Sequence, residues 1–278
     1  LETRKATLFI VATPLGNPAD LSPHAAATLA DAAVVLAEDT RRTGMLLKAC
    51  GVTARRLMSS HEHNEEGRVR QVLAWLGEGL DVALVSDAGT PLLADPGYRI
   101  VRAAREAGHP VSPVAGPSAV AAALSAAGLA PYPFSFLGCP PRSAGEAREL
   151  FARFGGTGAT LVFFERKNRL GDTLAAALAA LGDRECVLCR EMTKTFEEFL
   201  PGRLADFAGR DLELLGEVTV VVGPGEVGRS GEETARAMLA VEASAGGKPR
   251  EAARRAAMRL SGWTVKELYA MLADREDD

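Results

Sequence analysis

The chain has 278 residues, 47% hydrophobic and 24% charged, which suits one or two globular domains and excludes a disordered polyelectrolyte. Its formal net charge of −4 gives the molecule as a whole no nucleic-acid footprint, so any RNA contact must come from a local basic patch. Residues 1–12 carry Glu2, Arg4 and Lys5 and then one apolar run too short for a secretory signal or a membrane span; with Leu1 suggesting a trimmed or engineered start, the expected compartment is the cytoplasm and no membrane partner is expected.

In the first half, strands are predicted over 7–12, 33–37, 81–85 and 111–114, and helices over 22–31, 41–50, 65–76, 98–107 and 118–127. Ser22 before Pro23 is a helix start, and Gly51, Gly108 and Gly128 are stops. This alternation implies a mostly parallel sheet with helices on its faces. The proline-rich Ala130-Pro131-Tyr132-Pro133 and Cys139-Pro140-Pro141-Arg142 mark the exit from that sheet. Strands over 134–137, 160–164, 186–190, 196–200 and 217–222, with a helix over 169–181, predict a second α/β layer with some antiparallel pairing. Gly223-Pro224-Gly225 opens a polar linker, and the tail over 234–273 has a helical pattern. The expected organisation is α/β: two α/β domains over 1–115 and 116–228, then a small helical basic module over 229–278.

Cys186 and Cys189 form a CxxC, but no second pair stands at ligand spacing, and positions three apart on a strand face opposite sides; they are expected to be buried structural thiols. His61-Glu62-His63 likewise lacks a spaced third ligand, so helix capping or substrate contact is preferred and no metal is expected.

Ligands of α/β sheets bind beyond the carboxyl ends of strands, so the loops there carry the candidates. Residues 13–21 lack the three-glycine dinucleotide pattern, and their prolines make a poor phosphate cradle. Ser86-Asp87-Ala88-Gly89-Thr90-Pro91 and Asp95-Pro96-Gly97 combine small residues, which admit a ligand to the backbone, with carboxylates suited to an ammonium or ribose; ordinary helix caps share that composition. Glu38 and Asp39 beside Arg41 and Arg42 are either functional or a capped helix N-terminus. In the tail, Lys248, Arg250, Arg254, Arg255, Arg259 and Lys266 stand against Glu251. Ala252, Ala253, Ala256, Ala257 and Leu260 share the opposite face, and Thr264 with Glu267 forms a capping box. This is a helix-turn-helix-like module with a basic surface, or else a solvated helical cap or dimer clamp.

As a set the motifs resemble the tetrapyrrole methylase superfamily and, within it, the 16S ribosomal RNA cytidine 2′-O-methyltransferases. They are Thr13-Pro14-Leu15-Gly16-Asn17 with Asp20-Leu21, Ala37-Glu38-Asp39-Thr40-Arg41, His61-Glu62-His63-Asn64-Glu65, the two 86–97 motifs, Gly116-Pro117-Ser118-Ala119, Arg190-Glu191-Met192-Thr193-Lys194 with Glu197, and Gly216-Glu217-Val218. The chain departs at Phe164-Glu165-Arg166-Lys167-Asn168-Arg169, where the family usually has Tyr-Glu-Ser, a variable residue, then His-Arg. The resemblance implies S-adenosylmethionine in a cleft between the domains. Gly16, Asn17, Asp87, Gly89, Thr90, Ser118 and Ala119 would surround it from the first domain, and Phe164, Met192 and Glu217 from the second. It implies RNA contacts at Arg41, Arg42, Arg142 and Lys194 and along the tail at Arg254, Arg255 and Arg259, the small ribosomal subunit with its 16S rRNA as partner, and a homodimer. Glu38, Asp39 and Glu191 are the candidate proton acceptors, and Lys194 the candidate stabiliser of oxyanion charge. The alternative enzyme, a uroporphyrinogen- or precorrin-type C-methyltransferase, would share the cleft but not need a basic tail; a further alternative is an RNA-binding scaffold without turnover.

Overall fold

A computed structural model describes residues 5–61, 64–212, 216–225, 231–260 and 262–273. The first sheet contains β1 (Leu8–Val11), β2 (Val34–Ala37), β3 (Leu57–Ser59), β4 (Val82–Val85) and β5 (Val111–Val114) in the order β3-β2-β4-β1-β5, every pair parallel. β2 and β4 are buried along their whole length, as their unbroken apolar runs require when helices cover both faces. Alternate residues divide between two cores. Leu8, Leu36 and Leu84 meet Val72 and Leu76 of α3 (Glu65–Gly77) and Ile100 of α4 (Tyr98–Glu106). Val11, Val35 and Val85 face the other way, with Leu29 of α1 (Pro23–Asp31) and Leu47 of α2 (Thr40–Ala49). Ser22 caps α1 as expected, its Oγ accepting from Ala25 N at 3.0 Å.

The second sheet is mixed. β6 (Phe134–Phe136), β7 (Thr160–Arg166), β8 (Glu185–Arg190), β9 (Glu198–Arg203) and β10 (Glu217–Val222) lie in the order β6-β7-β10-β8-β9, and only β6 and β7 run parallel. One face packs on α6 (Ala144–Gly155), α7 (Lys167–Leu181) and the short α8 (Leu204–Phe207) through Phe151, Phe163, Leu170, Leu174 and Leu204. The other receives α5 (Ala119–Ala126), whose Val120, Ala123 and Leu124 meet Val162, Val187 and Val221. Cys186 and Cys189 are buried on opposite faces, and burial pushes both thiols up to about 12, so neither is a nucleophile at neutral pH.

Two elements differ from expectation. The sequence pattern does not predict β3, which has only three residues and so shows no period. β9 starts at Glu198 rather than at 196, because Glu197 turns back to accept Thr193 N at 2.6 Å and keeps Phe196 in the turn.

In the tail, α9 (Glu232–Ser244), α10 (Pro249–Ala257) and α11 (Val265–Ala273) enclose a core of their own around Leu239, Ala253, Ala256, Leu260 and Leu268. The Thr264 and Glu267 capping box is formed in both directions, at 2.8 and 3.2 Å. Part of the expected linker, residues 226–230, lies outside the described residues, as do Glu62 and His63. Among the described residues no helix is long and apolar enough to cross a membrane.

Candidate functional site

The carboxyl ends of the parallel strands release loops that are stitched to one another. Thr13 and Gly89 exchange two backbone hydrogen bonds, at 2.9 and 3.0 Å, and the Thr13 hydroxyl donates to Ser86 O at 3.2 Å. Thr90 Oγ1 donates to Pro117 O at 3.0 Å, tying the β4 loop to the β5–α5 turn that presents Ser118 and Ala119. Gly89 holds φ at +78°, and a Cβ there would lie 3.1 Å from Leu15. Sequence and packing agree here, since only a small residue lets these loops approach.

Carboxylates converge above these loops. Glu38, half-buried at the end of β2, is pushed above the ordinary carboxylate range by burial and then by Asp87, with Arg42 opposing. Asp95 is pushed up to about 6 by burial, then by Glu38, against a hydrogen bond from Ser86, with Asp87 and Glu217 adding to the rise. Glu38, Asp87 and Asp95 follow strands of the first sheet, whereas Glu217 starts β10 in the second. Burial raises Glu38 and Asp95, and the charges of Asp87 and Glu217 add to the rise of both, so negative potential accumulates here and favours a cation.

The neighbouring charges are already engaged. Asp87 accepts Asp39 N at 3.0 Å and pairs with Arg42 Nη1 at 3.2 Å. Asp39 caps α2 by accepting Arg41 N at 2.8 Å, and the hydrogen bonds from Arg41 hold its carboxyl below the usual range. Asp39 is therefore first a helix cap and a poor proton acceptor; of the pair, Glu38 has the raised affinity for a proton.

The second sheet supplies the facing wall through the β8–β9 turn. Glu191 and Thr193 adopt φ of +50° and +66°, which brings Thr193 Oγ1 to accept Asn17 N at 3.2 Å. The Lys194 stem lies over Gly16 so closely that any Cβ there would collide with it. Its Nζ pairs with Glu191 Oε1 at 2.9 Å, so these two candidates hold each other in place at the turn. Beneath the turn, Met192 shares one apolar cluster with Ala119 and Phe164, and Phe164 meets Phe136 edge-on at 4.8 Å.

Loops of a parallel sheet and a turn of a second, mixed sheet are thus joined into one continuous unit, and residues 7–208, which cover β1 to β9, match the family model for Tetrapyrrole (Corrin/Porphyrin) Methylases. The chain belongs to the tetrapyrrole methylase family. Among its relatives, a Micromonospora olivasterospora protein named Ribosomal RNA small subunit methyltransferase I is 44% identical over 244 residues, 87% of this chain and 78% of that one. The protein of the same name from Mesorhizobium japonicum is 41% identical over 278 residues, 97% and 92% of the two chains. In structure, this tetrapyrrole methylase is similar to uroporphyrin-III C-methyltransferase from Thermus thermophilus complexed with S-adenyl homocysteine, at TM-score 0.57 and 23% identity over 78% of this chain and 97% of that one. It is also similar to diphthine synthase, at TM-score 0.61 and 18% identity over 78% and 90%.

The fold of this tetrapyrrole methylase thus brings together most of the residues singled out by motif: Glu38, Asp87 and Glu217 in the carboxylate group, Gly89 and Thr90 in the stitched loops with Ser118, Ala119, Phe164 and Met192 along the apolar wall, and Gly16, Asn17, Glu191 and Lys194 where turn meets loop. Asp95 stands in one of the motifs, read from sequence as a carboxylate for an ammonium or ribose or as a helix cap; the N-cap of α4 is Gly97 instead, and Asp95 stands beyond β4 with the other carboxylates. Arg142 is exposed at the start of α6, outside this grouping. In the tail, Arg254 is exposed, but Arg255 and Arg259 reach Glu242 of α9 at 2.9 and 2.8 Å, so two of the three arginines expected on RNA act first as a clamp between helices. Among the described residues no group of three or more His, Cys, Asp or Glu side chains is arranged to hold a metal.

Proposed function

We infer that the protein is an S-adenosylmethionine-dependent methyltransferase that modifies the ribose 2′-hydroxyl of a cytidine in 16S rRNA of the small ribosomal subunit. The observation that carries this choice is the reach of the similarity. The relative from Mesorhizobium japonicum aligns with 97% of the chain, including the basic helical module, whereas the macrocycle enzyme aligns with 78%. A macrocycle enzyme has no need of a basic module, and an RNA enzyme does.

The residues present fit the cofactor. A sulfonium and an ammonium need negative neighbours, and Glu38, Asp87, Asp95 and Glu217 provide them; Ala119, Phe164 and Met192 provide an apolar wall. Bound S-adenosylmethionine supplies an electrophilic methyl group. The chain's own contribution is position, charge and proton transfer. The stitched loops fix the approach of the ribose. Glu38, with its raised proton affinity, would accept the 2′-hydroxyl proton, and the neutral thioether left when the sulfonium gives up its methyl group would need no further proton. Lys194, anchored by Glu191, offers positive charge at the closing turn, and exposed Arg41, Arg142, Arg254 and Lys266 offer phosphate contacts.

The enzyme acts in the cytoplasm as a homodimer; exposed Tyr132 and Phe134, at and beside the edge strand β6, suit a second copy, and sedimentation of the free protein tests this. Methyl transfer tests the whole assignment: label from S-adenosylmethionine, offered small subunits from cells lacking the gene, free 16S rRNA and a porphyrinogen, should enter subunit RNA as an alkali-resistant dinucleotide. Label in the porphyrinogen alone would select the macrocycle enzyme.

A further inference from the structure

We propose that Glu65 is a positioning residue, whose carboxylate at the start of α3 holds the loop over 91–97 in the shape that carries Asp95 into the carboxylate group at the strand ends. The proposal rests on the reading of that group as part of a methyl-transfer site.

Glu65 is acidic, yet only 7% of it is exposed. Its Oε1 accepts Gly97 N at 3.0 Å and Arg99 N at 3.2 Å, and its Oε2 lies 4.0 Å from Arg99 Nε. These are the first amides of α4. Its N-cap is Gly97, which has no side chain to satisfy them, so the cap arrives from another helix.

The segment leading into that cap is strained. Leu92 and Ala94 both sit at φ +72°, a region that L side chains avoid, and Gly97 is at +125° with Leu84 only 3.2 Å from where a Cβ would stand. Such a backbone persists only where its surroundings over-determine it. Asp95 lies inside the segment, within the field of Glu38, Asp87 and Glu217. Three like charges drive Asp95 outward, and the loop's own dihedrals do not favour holding it in. The Glu65 bonds to Gly97 and Arg99 supply the missing restraint two residues downstream. Glu65 thus acts through two amide groups rather than through contact with the reacting atoms.

Reach and charge separate cleanly at this position. Glu65→Gln keeps an oxygen at the same distance and removes the charge, whereas Glu65→Asp keeps the carboxylate but withdraws it by one methylene. In the full-length protein, Glu65→Asp should speed amide hydrogen exchange at Gly97 and Arg99 by about tenfold, the equivalent of one charge-assisted hydrogen bond. The Asp95 carboxyl, followed by carbon NMR, should titrate lower than in the parent, toward the ordinary 3.8, as the loop lets it into water. Methyl transfer to small subunits should lose kcat by a similar factor. Glu65→Gln should restore exchange, titration and turnover to within about twofold, because its oxygen still takes both amides. Wild-type exchange and titration in Glu65→Asp would overturn the proposal, as would loss in Glu65→Gln with retention in Glu65→Asp. Exchange and titration need no turnover. A parent protein that methylates no subunit would therefore sink the functional reading, while those two measurements would still decide the role of Glu65.

Discussion

Asp95 makes the energetics of the site measurable. Its carboxyl is pushed from 3.8 up to about 6, chiefly by burial and then by Glu38, so the folded protein holds the Asp95 proton more tightly than the unfolded chain does. Below pH 3.8 both states are protonated and the residue is neutral in the balance. Between 3.8 and about 6 the folded state binds more protons, so stability falls as pH rises, and above 6 the full penalty is present. A shift of this size corresponds to roughly 3 kcal/mol, which screening of a partly exposed side chain reduces to about 1–2 kcal/mol. Asp95→Asn removes the charge and keeps the size and shape of the side chain. The variant should therefore be more stable than the parent by about 1–2 kcal/mol at pH 8, a rise in Tm of roughly 2–8 °C. The gain should shrink through pH 5 and disappear below 3.8. Paired thermal melts across that range measure it. The same variant should lose methyl transfer, as expected where a functional site is held at a cost in stability. A variant that is no more stable than the parent at pH 8 would refute the desolvated carboxylate group.

Other consequences are as direct. Glu38→Gln should cut kcat about 100-fold or more, a loss well beyond the weakening of the calorimetric Kd for S-adenosylmethionine, since the proton acceptor is gone while Asp87, Asp95 and Glu217 still supply negative charge. Gly97→Ala, at φ +125° and against Leu84, should destabilise the protein by about 1–3 kcal/mol in urea titrations. Arg254→Ala should lower the salt dependence of RNA binding by about one unit of slope without loosening the tail. Arg255→Ala, which breaks the clamp to Glu242 and to Gly246 O, should instead expose α9 and α10 to proteolysis.

The alternation of Leu8, Leu36 and Leu84 with Val11, Val35 and Val85 is legible from sequence because a buried parallel strand must be apolar on both sides. Ser22, Thr264 and Glu267 are legible for a similar reason, since a cap is a local device whose partners lie three residues away. Short or long-range features are not. β3 is too brief to show a period, and the role of Glu197 in delaying β9 depends on a turn whose dihedrals no local propensity dictates. Within the site, motifs identify the loops but not the division of labour. That Asp39 is spent on Arg41 while Glu38 gains proton affinity follows from burial and from Asp87, 48 residues away from Asp39. The tail shows the same limit: its basic residues are countable, but the burial of Glu242 between Arg255 and Arg259 arises only when α9 packs on α10.

The central claim is that this tetrapyrrole methylase modifies ribosomal RNA on a ribose oxygen. Transfer of labelled methyl to small ribosomal subunits from cells lacking the gene tests it most directly, with the product RNA digested in alkali. Label is expected in a dinucleotide that resists cleavage, because a methylated 2′-oxygen can no longer attack the adjacent phosphate. Label released in mononucleotides, or confined to a porphyrinogen offered alongside, would contradict the claim.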